Sequence, residues 1–273
     1  MEEPTDLVKI LFLILAGGGS EHKHDQAIQR EYCMQPNLKY ANYLYVTGSP
    51  GSSAHILKDQ LIVDAEDSDL LKKTIEAVKF SLSHLDFDLI IRTNVSTFFD
   101  LRRIPGAWIK ISETKSFGGF VELCRDTTMQ KRNFSFVTGT GIFLSKSAAQ
   151  ILITLPLPLE LFEQDDVSIS RYLLSRYVNL IPIKRTNLSY HHLPFSSTYV
   201  RCKSSFNPML ASKRIIYLSQ ISRCKFSLQR LKLLFFELNI MNKSWKGFVT
   251  FLSRIPVLVR GNLFAIRATF FKL

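Results

Sequence analysis

The polar loop in the segment IIRTNVSTFFD, residues 90–100, follows an apolar run and has the setting of a ligand-binding loop. The apolar residues predict a buried strand, and loops at the carboxyl ends of strands line the ligand crevice of α/β sheets. Asn94 and Ser96 offer neutral oxygens there, whereas a divalent cation is better held by charged carboxylates. The alternative is an ordinary turn in which Ser96 or Thr97 caps a helix that begins near Phe98.

A cluster of acids in the segment LFEQDDVSISRYL precedes an apolar pattern that is typical of a helix. Glu163, Asp165 and Asp166 occupy three of four positions. The helix dipole favours acids at a helix N-terminus, so capping explains one of them. A carboxylate held at a helix start can also accept a proton from an attacking hydroxyl, which is the work of a general base. The pattern leaves both readings open.

Histidines and cysteines give weaker signals. His191 and His192, in YHHLPF, could bind a metal or a phosphate oxygen, but neighbours in a strand point to opposite faces, so at most one would face a site. The cysteines have no CxxC spacing, which argues against structural zinc and predicts reduced, inert thiols. They are Cys33, Cys124, Cys202 and Cys224.

The elements that must position these residues alternate between strands and helices. The predicted strands are 8–15, 43–46, 61–67, 87–94 and 134–145, the last with a bend at its glycines. The predicted helices are 25–33, 69–84, one from about residue 145 and one after the acids. This alternation predicts an α/β fold with a mixed, mostly parallel sheet flanked by helices. The glycine-rich stretch after the first strand, residues 16–20, predicts a loop that borders the ligand crevice.

Charge divides the chain near residue 200. Residues 201–273 hold 14 of the 35 basic side chains and a single acid, Glu237, for a net charge of +13, whereas residues 1–200 sum to −1. We therefore predict a catalytic-type domain over 1–200 and a basic, apolar, largely helical extension over 201–273. The extension would pack on the core or lie on a membrane surface, with its cations at anionic headgroups. Nucleic-acid binding through these cations and Trp245 is the weakest alternative and is not expected.

The predicted location is cytoplasmic, with peripheral membrane contact through the extension. The first residues include the acids Glu2, Glu3 and Asp6, whereas a secretory signal carries positive charge there. No stretch approaches the 18 apolar residues that a membrane-spanning helix needs.

Taken in order across residues 8–200, these segments resemble the β-1,3-galactosyltransferase and Fringe-like glycosyltransferases, which have the GT-A fold. VDAEDSDLLKKTIEAVKF is similar to the family's D-x-Y-x-N-L-x-x-K-T stretch, and FDLIIRTNVSTFF is similar to Y-x-x-K-x-D-D-D-V-F. VTGTGIFLSKSAAQIL resembles G-x-G-Y-x-L-S, and the residues DDV resemble E-D-V. The departure lies in the second motif, where Asn94-Val95-Ser96 replaces the triple aspartate.

The resemblance implies an inverting transfer of one sugar from a nucleotide donor, expected to be UDP-linked, to a hydroxyl of a glycan. Asp166 takes the place of the family's general base. The positions implied for the donor are Ala16, Gly17, Lys73, Arg92, Asn94 and Ser96. The positions implied for the acceptor are Gly139, Thr140, Gly141 and Asp165. His192 is the better match to a late histidine that helps to hold the metal or the diphosphate.

The missing aspartates leave three alternatives for the donor diphosphate. Mn²⁺ or Mg²⁺ could bind weakly through remaining oxygens such as Asp165, with Ser96 and His192 as candidate ligands. Cationic side chains such as Lys73 or Arg92 could neutralise the diphosphate in place of a metal. The chain could also be a catalytically inactive relative that binds a glycan or a nucleotide.

Overall fold

A computed structural model describes residues 8–17, 19–38, 40–101, 104–124, 134–157, 164–187, 199–202 and 210–221. The strands are β1 (Ile10–Leu15), β2 (Ala41–Gly48), β3 (His55–Leu57), β4 (Gln60–Val63), β5 (Leu89–Asn94), β6 (Thr97–Phe99), β7 (Ser116–Cys124), β8 (Phe134–Ser145), β9 (Asn179–Pro182), β10 (Thr186–Asn187) and β11 (Tyr199–Arg201). The helices are α1 (Ser20–Gln29), α2 (Leu70–His84), α3 (Gly106–Ser112), α4 (Lys146–Leu152), α5 (Asp165–Ser175) and α6 (Leu210–Ile221).

An eight-stranded sheet in the order β3-β4-β2-β1-β5-β8-β7-β9 forms the centre of the molecule. Strands β4, β2, β1 and β5 run parallel to one another, and β8 runs antiparallel to both of its neighbours. A second sheet has the order β10-β11-β6. The predicted fold class, a mixed and mostly parallel sheet flanked by helices, is confirmed.

Alternate residues of β1 pack into two separate hydrophobic layers. Ile10, Phe12 and Ile14 lie in one cluster, with side chains of α3 and α6, while Leu11 and Leu13 lie in the other, with side chains of α2, α4 and α5. A strand covered on both faces must be apolar throughout, which explains the uninterrupted run in the sequence. The sheet is therefore the middle of three layers.

The strand register brings two loops of the sequence analysis to one edge of the sheet. Leu15 at the end of β1 pairs with Asn94 at the end of β5, so the chain leaves both strands side by side.

Two helices start with a side-chain cap: Asp69 accepts a hydrogen bond from the backbone of Lys72 in α2, and Ser145 accepts one from the backbone of Ala148 in α4. These caps fix where each helix begins.

Three local predictions differ from the structure. The helix expected near Phe98 is instead strand β6, because Phe98 and Phe99 are buried and Phe99 stacks on Tyr199 of the paired strand at 5.5 Å. The first helix starts at Ser20, earlier than predicted, and continues into a π-helical turn at Arg30–Met34. The expected bend in β8 is a register shift within one continuous strand.

The first part of the basic segment is built into the core. Ala211, Ile215 and Leu218 of α6 are buried in the same cluster as β1, and the Ser212 hydroxyl donates a hydrogen bond to Asp25 of α1. Within the described part of the chain, no helix combines the length and the apolar character needed to cross a bilayer. The rest of the predicted extension, residues 203–209 and 222–273 with Trp245, lies outside the described residues, so the membrane-surface prediction stays a prediction.

Candidate active site

A cavity of about 590 Å³ opens at the carboxyl edge of the parallel strands. It lies between the first turns of α2 and α5, the end of β5, the middle of β8 and the end of β11. Its lining residues are Ser68, Asp69, Leu70, Leu71, Arg92, Asn94, Glu122, Phe136, Thr138, Gly139, Thr140, Gln164, Asp165, Asp166 and Arg201. Six of the positions predicted from the sequence thus meet in one cavity.

Asp166 stands in the first turn of α5 and is held by two backbone donors. Its Oδ2 accepts a hydrogen bond from the Gly139 amide at 2.8 Å, and its Oδ1 accepts one from Val167 at 2.9 Å. Burial raises the pKa of Asp166, and the neighbouring Asp165 carboxylate adds to that rise, against the opposing effects of the Gly139 hydrogen bond and Arg92. A carboxylate with a raised pKa and an open side is suited to accept a proton.

The Arg92 guanidinium ties β5 to β8 and α5. Its Nη2 forms an ion pair with Asp165 Oδ2, its Nη1 donates to the Gly139 carbonyl at 2.5 Å, and its Nε lies 3.4 Å from Thr74 Oγ1. Arg92 is 1% exposed. Because Asp166 binds the amide of Gly139 and Arg92 binds its carbonyl, the acid and the cation fix the same residue from both sides.

Gly139 is a glycine because these two side chains approach it closely. A Cβ atom at this position would stand 2.7 Å from Arg92 Nη1 and 3.4 Å from Asp166 Oδ2. Gly141 has a different surrounding, because a Cβ there would stand 3.0 Å from the Tyr199 ring. Gly141 therefore packs against the core and does not line the cavity, while Gly139 and Thr140 do.

Lys73 and the loop after β1 lie beside the cavity and do not line it. The Lys73 ammonium is 1% exposed and donates to the Ala16 carbonyl and to Asp67 Oδ1, both at 2.9 Å. Ala16 is buried and Gly17 is half-buried. Lys73 thus secures the loop after β1 to α2 through a buried hydrogen bond.

The two polar side chains of the loop after β5 do not both face the cavity. Asn94 is half-buried and lines the cavity. Ser96 is 7% exposed and does not line it, and its carbonyl accepts a hydrogen bond from the Cys202 amide at 2.9 Å. Only Asn94 is placed to contact a ligand in this cavity.

Two arginines of the site escaped the sequence analysis. Arg185 donates to the hydroxyls of Thr138 and Thr140 at 2.9 and 2.6 Å, and its guanidinium lies 4.0 Å from the centre of the Phe120 ring. Arg201 lines the cavity at the end of β11, in register with Thr97 of β6. Neither has a local motif, and Arg201 belongs to strand β11 although it is the first residue of the basic segment.

The described residues do not fit a divalent cation. Among them, no three His, Cys, Asp or Glu side chains come together as a metal would require. Asp165 is already engaged by Arg92, Ser96 lies away from the cavity, and His191 and His192 lie outside the described residues. We therefore assign no chemical step to a metal.

Comparison with known proteins gives likeness in structure only. No protein-family model and no curated protein sequence matches the chain. The chain is similar to a glycosyltransferase involved in the glycosylation of the major capsid of PBCV-1, with a TM-score of 0.49 and 8% identity over 76% of this chain and 98% of that one. It is also similar to the galactosyltransferase LgtC, solved with donor and acceptor sugar analogs, with a TM-score of 0.47 and 8% identity over 82% of this chain and 99% of that one.

At these values neither likeness identifies a reaction. Neither is specific to the β-1,3-galactosyltransferase and Fringe-like family, so that resemblance stays a prediction from the sequence motifs.

Proposed function

We propose that the chain is a glycosyltransferase of GT-A architecture that transfers one sugar from a nucleotide donor, expected to be UDP-linked, to a hydroxyl of a glycan. The observation that carries the proposal is Asp166, a partly buried carboxylate with a raised pKa that lines the cavity. A volume of about 590 Å³ is in the range of small-molecule sites. The order of the four sequence motifs, each of which contributes residues to this cavity, agrees with the same activity.

In the proposed reaction Asp166 takes the proton of the acceptor hydroxyl. The acceptor oxygen forms a bond to the anomeric carbon while the bond from that carbon to the diphosphate oxygen breaks, and the diphosphate leaves with the electron pair. Attack from the face opposite the leaving group inverts the anomeric carbon. The Gly139 amide and the first turn of α5 hold Asp166 in place, and Arg92 acts as a positioning residue through Gly139 and Asp165.

The competing proposal is a glycan- or nucleotide-binding protein of the same fold without turnover. The cavity alone is compatible with both. The partly buried Asp166 with its raised pKa favours the enzyme. Desolvation of an ionised acid costs free energy, and a purely binding role does not require that cost.

Comparison of Asp166→Asn with Asp69→Asn tests the enzyme. Asp69 lines the same cavity, and asparagine keeps the cap of α2, so this control removes one charge without removing the proposed base. A panel of nucleotide sugars is first screened by thermal shift, since ligands raise apparent stability. Hydrolysis of the donors that bind is then measured, because water can replace an unidentified acceptor.

We expect Asp166→Asn to lose about 100-fold or more in turnover and Asp69→Asn to stay near the native rate. Equal turnover of Asp166→Asn and the native chain would remove the base assignment. Binding of donors without any turnover by the native chain would favour the binding protein. A product with the configuration of the donor, read by NMR, would exclude inversion.

A further inference from the structure

The cationic side chains around the cavity differ in how far their N–H donors are used by hydrogen bonds and ion pairs within the protein. Lys73 holds Ala16 and Asp67, and Arg185 holds two threonine hydroxyls and lies 3.6 Å from Glu122. Arg92 holds Asp165 and Gly139. These three side chains are nearly inaccessible, with at most 1% of each exposed. Each balances a charge or a dipole of the fold.

Of the described cations, Arg92 and Arg201 line the cavity, and Arg201 differs from Arg92 in its side-chain contacts. It is half-buried, its buried Nε has no hydrogen-bond partner, and no described carboxylate forms an ion pair with it. A buried N–H without a partner costs about 1–3 kcal/mol, and an ordered water, an ion or a ligand can supply the acceptor. Arg201 also lines the cavity, so a ligand bound there is one source of an acceptor for its guanidinium.

The backbone around Arg201 is fixed, so the guanidinium is presented from a rigid support. Tyr199 and Val200 are fully buried, Arg201 pairs with Thr97 of β6, and the next residue, Cys202, donates to the Ser96 carbonyl. These contacts join Arg201 to the loop in which neutral residues replace the family's aspartates. A guanidinium carries a permanent positive charge, and its planar fork matches the oxygens of a phosphate group.

We propose that Arg201 binds the diphosphate of the donor and supplies the positive charge that a divalent cation would otherwise provide. This inference rests on the proposed function for the identity of the ligand. The first turn of α2, which borders the same cavity at Leu70 and Leu71, adds the favourable potential of a helix N-terminus. The proposal gives this role to Arg201 in place of Lys73 or Arg92, whose side chains are held within the protein.

Calorimetric titration of the full chain with UDP and with inorganic pyrophosphate, in EDTA, tests the assignment without any need for turnover. Arg201→Gln removes the charge and the fork. Lys184→Gln is the matched control, because Lys184 is exposed, lies near Arg185 in sequence and does not line the cavity. Loss of one charge-assisted contact predicts about a 10- to 100-fold weaker affinity for both probes in Arg201→Gln and no change in Lys184→Gln.

Arg201→Lys keeps the charge and loses the fork, so its affinity should lie between the native chain and Arg201→Gln. Urea unfolding of each variant reports whether it folds. If Arg201→Gln does not fold, the affinity of Arg201→Lys compared with that of the native chain tests the inference instead. UDP affinity unchanged in Arg201→Gln, or UDP binding by the native chain only when Mn²⁺ is present, would overturn the inference and leave the transferase proposal intact. Arg201-dependent UDP binding without turnover of any donor would support the inference while contradicting the transferase. Absence of binding to either probe, with or without Mn²⁺, would overturn both.

Discussion

Replacement of Arg92 by methionine tests the charge pair on which the site geometry depends. Methionine keeps much of the volume of the buried stem but removes the guanidinium. Asp165, whose side chain is only 15% exposed, would lose its cationic partner, and the Gly139 carbonyl would lose its 2.5 Å hydrogen bond. Breaking a buried ion pair by removing one partner costs about 3–5 kcal/mol, because the remaining charge stays uncompensated.

The lower end of this range applies here, because both Asp165 and Gly139 line the cavity. We therefore expect Arg92→Met to lower the free energy of unfolding by about 3 kcal/mol, measured by urea denaturation at neutral pH. The denaturant slope should stay unchanged, which would show that only stability has changed.

The double variant Arg92→Met with Asp165→Asn separates the ion pair from simple loss of packing. Removing the orphaned charge should restore part of the stability, so the double variant should unfold at a higher urea concentration than Arg92→Met alone. A cost below about 1 kcal/mol for Arg92→Met would show that the pair is not effectively buried. Additive losses in the double variant would show that Arg92 stabilises the fold through packing instead.

Three further predictions concern Asp166, the start of α4 and Gly139. Burial raises the pKa of Asp166 above its ordinary 3.8, so the folded chain binds this proton more tightly than the unfolded chain and loses stability as the pH rises above 3.8. Relative to the native chain, Asp166→Asn should therefore gain stability as the pH rises from acid to neutral, and a difference in the free energy of unfolding that stays constant with pH would contradict this. Ser145→Ala removes the acceptor for Ala148 at the start of α4 and should cost about 1 kcal/mol, measured in the same way; an unchanged free energy of unfolding would contradict the cap. Gly139→Ala should lower turnover with a smaller effect on the unfolding midpoint, because its Cβ would displace Arg92; unchanged kcat would show that the contact is easily relaxed.

The elements that sequence patterns predicted best are those whose signal is local. Strand β1 is apolar throughout because both of its faces are covered, and α2 combines a 3.6-residue apolar period with the Asp69 cap. Both could be recognised without knowledge of their neighbours. The segment at Phe98 could not, because its extended form depends on pairing with β11, about a hundred residues further along the chain.

The same distinction separates the predicted and the missed residues of the site. Asp166 lies in the first turn of α5, Asn94 ends β5 and Gly139 lies within β8. Each belongs to a recognisable motif, and all three line the cavity. Arg201 reaches the site through the pairing of β11 with β6, and Arg185 directly precedes the two-residue strand β10; composition gives no signal for either strand. Lys73 matched a motif by position, but its burial and its contact with Ala16 could be seen only in three dimensions.

The neutral residues of the loop after β5 are consistent with a site that uses a guanidinium in place of a metal. Ser96 is buried beside the backbone of Cys202, so an aspartate at this position would place a charge where desolvation is costly unless a cation lay against it. An aspartate at position 94 would add a negative charge to a cavity that four carboxylates already line, raising the pKa of Asp166 further. Without a metal, neutral side chains at both positions avoid these costs and leave the positive charge of Arg201 available to an anionic ligand.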